Sequence, residues 1–193
     1  EGMFGLFTMF AEPTAAEQGP AGVKVRRDPV AMLPFMAARE DAYVRHWEQL
    51  MNRHRQRVQE VGGRELKIFR VNQFMRRANG TFIDPGYSEN FRKIDWMINR
   101  VKGDTVGEQT PIGIIPAEGE YNWDGIPEDV TSLEEREILR SVDLGFWQGE
   151  VKASRDFLRG IEESFDQQFP EFMYDVNRRL KERIATESGK GGD

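Results

Sequence analysis

The chain has 193 residues and a mass of 22.3 kDa, enough for one domain with a core and short for two independent ones. It contains no cysteine, which excludes disulfides, thiolate zinc sites, iron–sulfur clusters and cysteine nucleophiles. The net charge of −6 is unevenly spread: residues 1–102 carry 17 basic against 12 acidic side chains and residues 103–193 carry 10 against 21, and so acidic a half excludes general nucleic-acid binding by the whole chain.

Residues 1–34 read as an extended arm. Gly2 to Ala11 is uncharged and rich in Phe and Met, but far short of the roughly 18 apolar residues that span a bilayer as a helix. Prolines at 13, 20, 29 and 34 block helix and central strand alike. Such an arm is expected to lie on another surface, with Phe4, Phe7 and Phe10 burying on a neighbouring protein or, through residues 2–11, at a peripheral membrane interface. A chain that opens on Glu1 rather than Met suggests removal of a targeting peptide and hence an organelle.

The first long helix is expected from about Phe35 to Val61, closed by Gly62-Gly63. Tyr43, Trp47, Leu50, Met51, His54, Val58 and Val61 form one apolar stripe at helical spacing, with charge on the other faces. A second segment, Arg64 to Ala78, collects Leu66, Phe69, Phe74 and Met75 with Arg70, Arg76 and Arg77, and stops at Asn79-Gly80. It reads as a helix, with Ile68 and Val71 leaving a strand open. Ser88 is placed to cap a third helix in which Phe91, Ile94, Ile98 and Val101 share a face before Gly103.

Residues 103–130 form a Gly/Pro-rich connector with a short β segment near 112–115 and a polar–aromatic patch from Tyr121 to Gly125. Thr131 and Glu134 match a capping box that opens a C-terminal helical segment, residues 131–187. There Leu139, Val142, Phe146, Ala153, Phe157, Ile161 and Phe165 make a continuous stripe. Pro170 then starts a last helix carrying Met173, Val176, Leu180 and Ile184, and residues 188–193 are a flexible tail. The expected fold class is mainly α: an irregular body of four to five helices, residues 35–102 and 131–187, with an extended N-terminal arm and a long central loop.

Residue types that carry chemistry are sparse. The two histidines, His46 and His54, stand about 12 Å apart along one helix and about 80° round it, too far to share a metal ion. No Glu-x-x-His, Gly-x-Ser-x-Gly, Gly-x-Gly-x-x-Gly or Gly-x-x-x-x-Gly-Lys-Ser/Thr motif occurs, so no metal, cofactor or phosphate loop is expected. The arginines at 53, 55, 57, 76 and 77 read as wet helix faces. Asp84, Glu118, Glu120 and Asp124 lie in loops beside Tyr87, Tyr121 and Trp123, the one place where a pair of carboxylates can be assembled.

With 38% apolar and 31% charged residues, the core is narrow or is completed by another chain. These features point to a non-catalytic accessory or structural subunit of a large assembly, such as an organellar energy-converting membrane complex. Phe4, Phe7, Phe10, Trp47, His54, Tyr121 and Trp123 are its expected contacts with other protein subunits. A structural protein of a viral particle is one alternative. A small enzyme with an acid/base site in the 118–124 loop is the other.

Overall fold

A computed structural model of the protein describes residues 10–11, 26–27, 35–72, 75–161 and 171–189. Phe4, Phe7, Phe74, Phe165, Pro170 and the end of the tail lie outside the described residues. The chain forms two compact units, one from residues up to Ile68 and from Leu144 onward, the other from Phe69 to Asp143. No described helix is long and apolar enough to cross a membrane.

In the first unit, the stretch expected as a plain arm contains a short antiparallel pairing, β1 (Phe10–Ala11) with β2 (Arg26–Arg27). Helix α1 spans Glu40–Val61, starting five residues later than the sequence suggests and without a side-chain cap at Arg39. It stops where Gly62 takes a φ of 76° and donates its N–H to the carbonyl of Val58. The expected stripe is only half covered. Val44, which is not part of it, is the buried residue of α1, while Tyr43, Trp47, Met51 and Val58 are half-buried and Leu50, His54 and Val61 are exposed. Helices α4 (Leu144–Ile161) and α5 (Glu171–Gly189) pack together, with Val151, Ser154, Val176 and Leu180 buried. A Cβ added at Gly149 would meet nothing, so that glycine is not there for close helix approach.

The second unit departs further from expectation. Residues 64–78 contain no described helix: Arg76 bridges Phe82 across the turn at Asn79-Gly80, and Met75 accepts from the N–H of Ile83 at 2.9 Å. β-Branched Ile68 and Val71 favour extended backbone, and the Asn79 carboxamide closes the turn by accepting from the Thr81 N–H at 3.0 Å. A 3₁₀ turn, Tyr87–Glu89, leads into α2 (Asn90–Lys102), which ends at left-handed Gly103. Its buried residue is Trp96. Phe91, Ile94, Ile98 and Val101, expected to share a face, are exposed.

Strands β3 (Glu108–Thr110) and β4 (Gly113–Ile115) make an antiparallel hairpin within the connector, with Glu108 opposite Ile115 and Thr110 opposite Gly113. Helix α3 spans Leu133–Arg140, and its capping box is Ser132 with Glu135, one residue on from the Thr131 and Glu134 of the sequence pattern. Thr131 is instead fully buried and donates its hydroxyl to the carbonyl of Ile83 at 3.1 Å. The long stripe expected to run through residues 139–165 is broken at Ser141. Both its N–H, at 3.1 Å, and its hydroxyl, at 2.8 Å, bind the carbonyl of Ile138 and close α3 before α4 begins.

Gly107 and Gly103 separate two reasons for a glycine. Both have positive φ, 71° and 90°, but a Cβ at Gly107 would fall 2.3 Å from Ile114 Cγ2 and 2.8 Å from the carbonyl of Ile115, whereas one at Gly103 meets nothing. Gly103→Ala should therefore cost about 1 kcal/mol, the left-handed penalty alone. Gly107→Ala should cost at least about 2 kcal/mol more because the hairpin must move. Urea unfolding followed by tryptophan fluorescence checks the ranking, which equal losses would refute.

Candidate functional site

In the second unit, two loops flank the start of α2. The first is the turn at Asp84-Pro85-Gly86. Asp84 is buried, and its Oδ1 accepts from the Gly86 N–H at 2.9 Å, which holds Gly86 at a φ of 89°. Lys93 on α2 places its ammonium 2.9 Å from Asp84 Oδ1, 2.8 Å from Oδ2 and 3.1 Å from Asn90 Oδ1. The second is the polar–aromatic patch at 121–125. Arg92 holds Glu89 by Nε at 2.6 Å and reaches across with Nη1 to the carbonyl of Asn122 at 3.1 Å. Asn122 Oδ1 accepts in turn from the Asp124 N–H at 2.8 Å.

The aromatic side chains of the patch stand together, Tyr121 and Trp123 with ring centroids 4.6 Å apart and planes inclined at 45°. Arg136 of α3 lies over Trp123 at 5.2 Å and donates to the carbonyls of Thr131 at 3.1 Å and Ile126 at 2.9 Å. Burial, reinforced by the charge of Asp84, pushes the Tyr121 hydroxyl up to about 12.

Glu120 organises the connector. Its Oε1 accepts from the N–H groups of Val106 at 2.9 Å and Gly107 at 3.0 Å. Its Oε2 accepts from Ala117 N–H and from the Trp96 indole, both at 3.1 Å. Burial works against its ionisation, but the donors of Gly107, Trp96, Ala117 and Val106 outweigh it and hold the carboxyl at about 2. A general acid needs the opposite shift. The 118–124 loop is thus held together by Glu120 rather than supplied by it with a proton donor.

Arg77 and Glu135 form a second clamp. The guanidinium donates through Nε and Nη2 to both carboxylate oxygens, through Nη1 to the carbonyl of Phe82, and through Nη2 to that of Val130 at 2.7 Å. The hydrogen bond from Arg77, followed by that from the Ser132 N–H, holds Glu135 at about 2, and Arg77 is raised in return.

Of the expected contact residues, Tyr121 and Trp123 are brought together with Arg136, while Trp47 and His54 belong to the other unit. His54 is exposed and closes a local turn, its Nε2 accepting from the Leu66 N–H at 3.0 Å. Phe10 lies in β1. Among the described residues no cluster of His, Asp or Glu is placed to hold a metal ion. Asn90, Arg92 and Lys93 are not among the residues expected from the sequence, since these common residue types are brought together with Asp84 and Asn122 only by the fold.

The chain is a member of the family described as the phosphoenolpyruvate carboxykinase C-terminal P-loop domain, which matches residues 1–183. It is 35% identical over 186 residues to a phosphoenolpyruvate carboxykinase [GTP] of Renibacterium salmoninarum, covering 95% of this chain and 28% of that protein. It is 38% identical over 160 residues to the enzyme of that name from Haemonchus contortus, covering 81% and 24%. With the mitochondrial one of Mus musculus it shares 34% over 183 residues, covering 95% and 26%. The chain thus spans about a quarter of the length of these relatives.

These matches overturn the expectation of a non-catalytic accessory subunit of a membrane complex, because the relatives bear the name of an enzyme across almost the whole of this chain. The enzyme alternative stands closer to them, although not with Glu120 as its acid. The family's description names a phosphate loop, but its Gly-x-x-x-x-Gly-Lys-Ser/Thr motif is not among these 193 residues.

The depressed pKa of Glu120 gives a signed pH dependence. Its contribution to stability is present above the ordinary carboxyl value of 4.5 and is lost as pH falls towards about 2. Acid titration of the Trp96 environment should show a loss of structure across that interval. Glu120→Gln should weaken the fold at neutral pH by about 2 kcal/mol and flatten the acid limb, and an unchanged acid limb in the variant would refute the assignment.

Proposed function

We propose that this chain is the C-terminal part of a GTP-dependent phosphoenolpyruvate carboxykinase and that its second unit faces the guanine nucleotide. The observation that carries the reading is the match to enzymes named for GTP along 95% of the chain. An enzyme of that name joins carboxylation chemistry at phosphoenolpyruvate to phosphoryl transfer. Phosphoryl transfer is catalysed almost entirely by position and charge, so the nucleotide has to be gripped away from the reacting phosphorus as well as at it.

The second unit carries groups suited to that remote grip. Asn90 carries a carboxamide, a group whose chemistry suits a purine edge, with its oxygen already accepting from Lys93 at 3.1 Å. Gly86, in a left-handed conformation, lets backbone approach a ligand closely. Arg92 and Lys93, at the start of α2, hold the two loops that flank it, through Asn122 and Asp84. The absence of a phosphate-loop motif fits a division of labour in which this stretch serves the base and another serves the phosphates.

In the intact enzyme carrying this chain, guanine nucleotides should support turnover at least about a hundredfold better than adenine nucleotides at equal concentration, because hydrogen bonds to a base edge discriminate at that scale or above. Asn90→Ala should raise the KM for GTP about tenfold, equivalent to about 1.4 kcal/mol. Equal use of ATP in steady-state assays would overturn the reading.

A further inference from the structure

The geometry points to Asp84 and Lys93 as a positioning pair that sets the turn and the amide on which nucleotide affinity depends, a role that rests on the guanine-nucleotide reading. Arg92 and Lys93 are consecutive on α2 and leave the helix about 100° apart. Arg92 goes to the loop containing Asn122, and Lys93 goes to the turn containing Asp84. One helical turn therefore fixes both loops.

The Lys93 ammonium has three protons and meets three acceptors, Asp84 Oδ1, Asp84 Oδ2 and Asn90 Oδ1, at 2.9, 2.8 and 3.1 Å. Its rotation is fixed, and so is the direction in which the Asn90 carboxamide points. Asp84 passes the constraint on by accepting from the Gly86 N–H. The pair is well covered, the side chains of Lys93 and Asp84 being 14% and 4% exposed. A covered ion pair gains little net stability, since desolvation offsets most of the attraction and apolar residues would serve as well. Its value here is geometric: it holds Gly86 and Asn90 in one relative placement without itself touching a reacting atom.

The test uses the intact enzyme and three variants. Lys93→Met should raise the KM for GTP by about tenfold or more while kcat at saturating GTP moves far less. Lys93→Arg, which keeps the charge, should return the KM to within about threefold of the parent. The double variant Asp84→Asn with Lys93→Met removes both charges and keeps an acceptor for Gly86, so it should melt close to the parent and yet retain the raised KM. That double variant decides the matter even if Lys93→Met alone does not fold. A parental KM for GTP in the double variant would show the pair to be merely structural and overturn the inference. A parent enzyme that does not turn over with GTP removes the nucleotide reading, and this inference with it. A parent that uses GTP alongside variants whose KM is unmoved removes the inference alone.

Discussion

One carboxylate organises the connector between α2 and α3. Glu120 collects the amides of Val106, Gly107 and Ala117 and the indole of Trp96, four donors from positions that no regular ladder would bring together. The buried aromatic side chain of α2 is oriented by it, and so is the entrance to the β3–β4 hairpin. Gly107 is needed because two of these constraints meet there: its N–H must reach the carboxylate while its α-carbon passes against Ile114 and the carbonyl of Ile115. With the connector so fixed, Tyr121 and Asn122 stand beside α2, where Arg92 meets them.

The legible parts of the structure were those written in local chemistry. A double glycine after an amphipathic run marks the end of α1, and a lone glycine the end of α2, because each needs only a backbone that can turn left-handed. What could not be read was anything decided at a distance. Thr131 and Ser132 offer adjacent, almost equivalent capping boxes, and the choice falls to Ser132 because Thr131 is taken by the carbonyl of Ile83, 48 residues away. The arginine at 77 looked like part of a wet face, yet it is committed to Glu135 and to the carbonyls of Phe82 and Val130. Hydrophobic spacing misled on α2, where the regular face lies open and a single Trp on another face is covered.

The site was hard to see for a related reason. Its groups are common ones, an Asp, a Lys, an Asn and an Arg, and what marks them is three-dimensional convergence rather than motif. Reactive signatures are scarce in this stretch, a pattern that by itself points to a scaffold. The family match sets that reading aside, for the chain spans about a quarter of the length of relatives that bear an enzyme's name.

The first unit is assembled from two stretches of polypeptide, with the whole of 69–143 running between them. On a ribosome, α1 emerges long before α4 and α5 exist to complete its unit, whereas everything the second unit uses to close on itself, from Arg77 to Glu135, leaves the tunnel as one uninterrupted run. Vectorial synthesis therefore favours completion of the inserted unit first, and the discontinuous one closes only when its C-terminal stretch has left the tunnel.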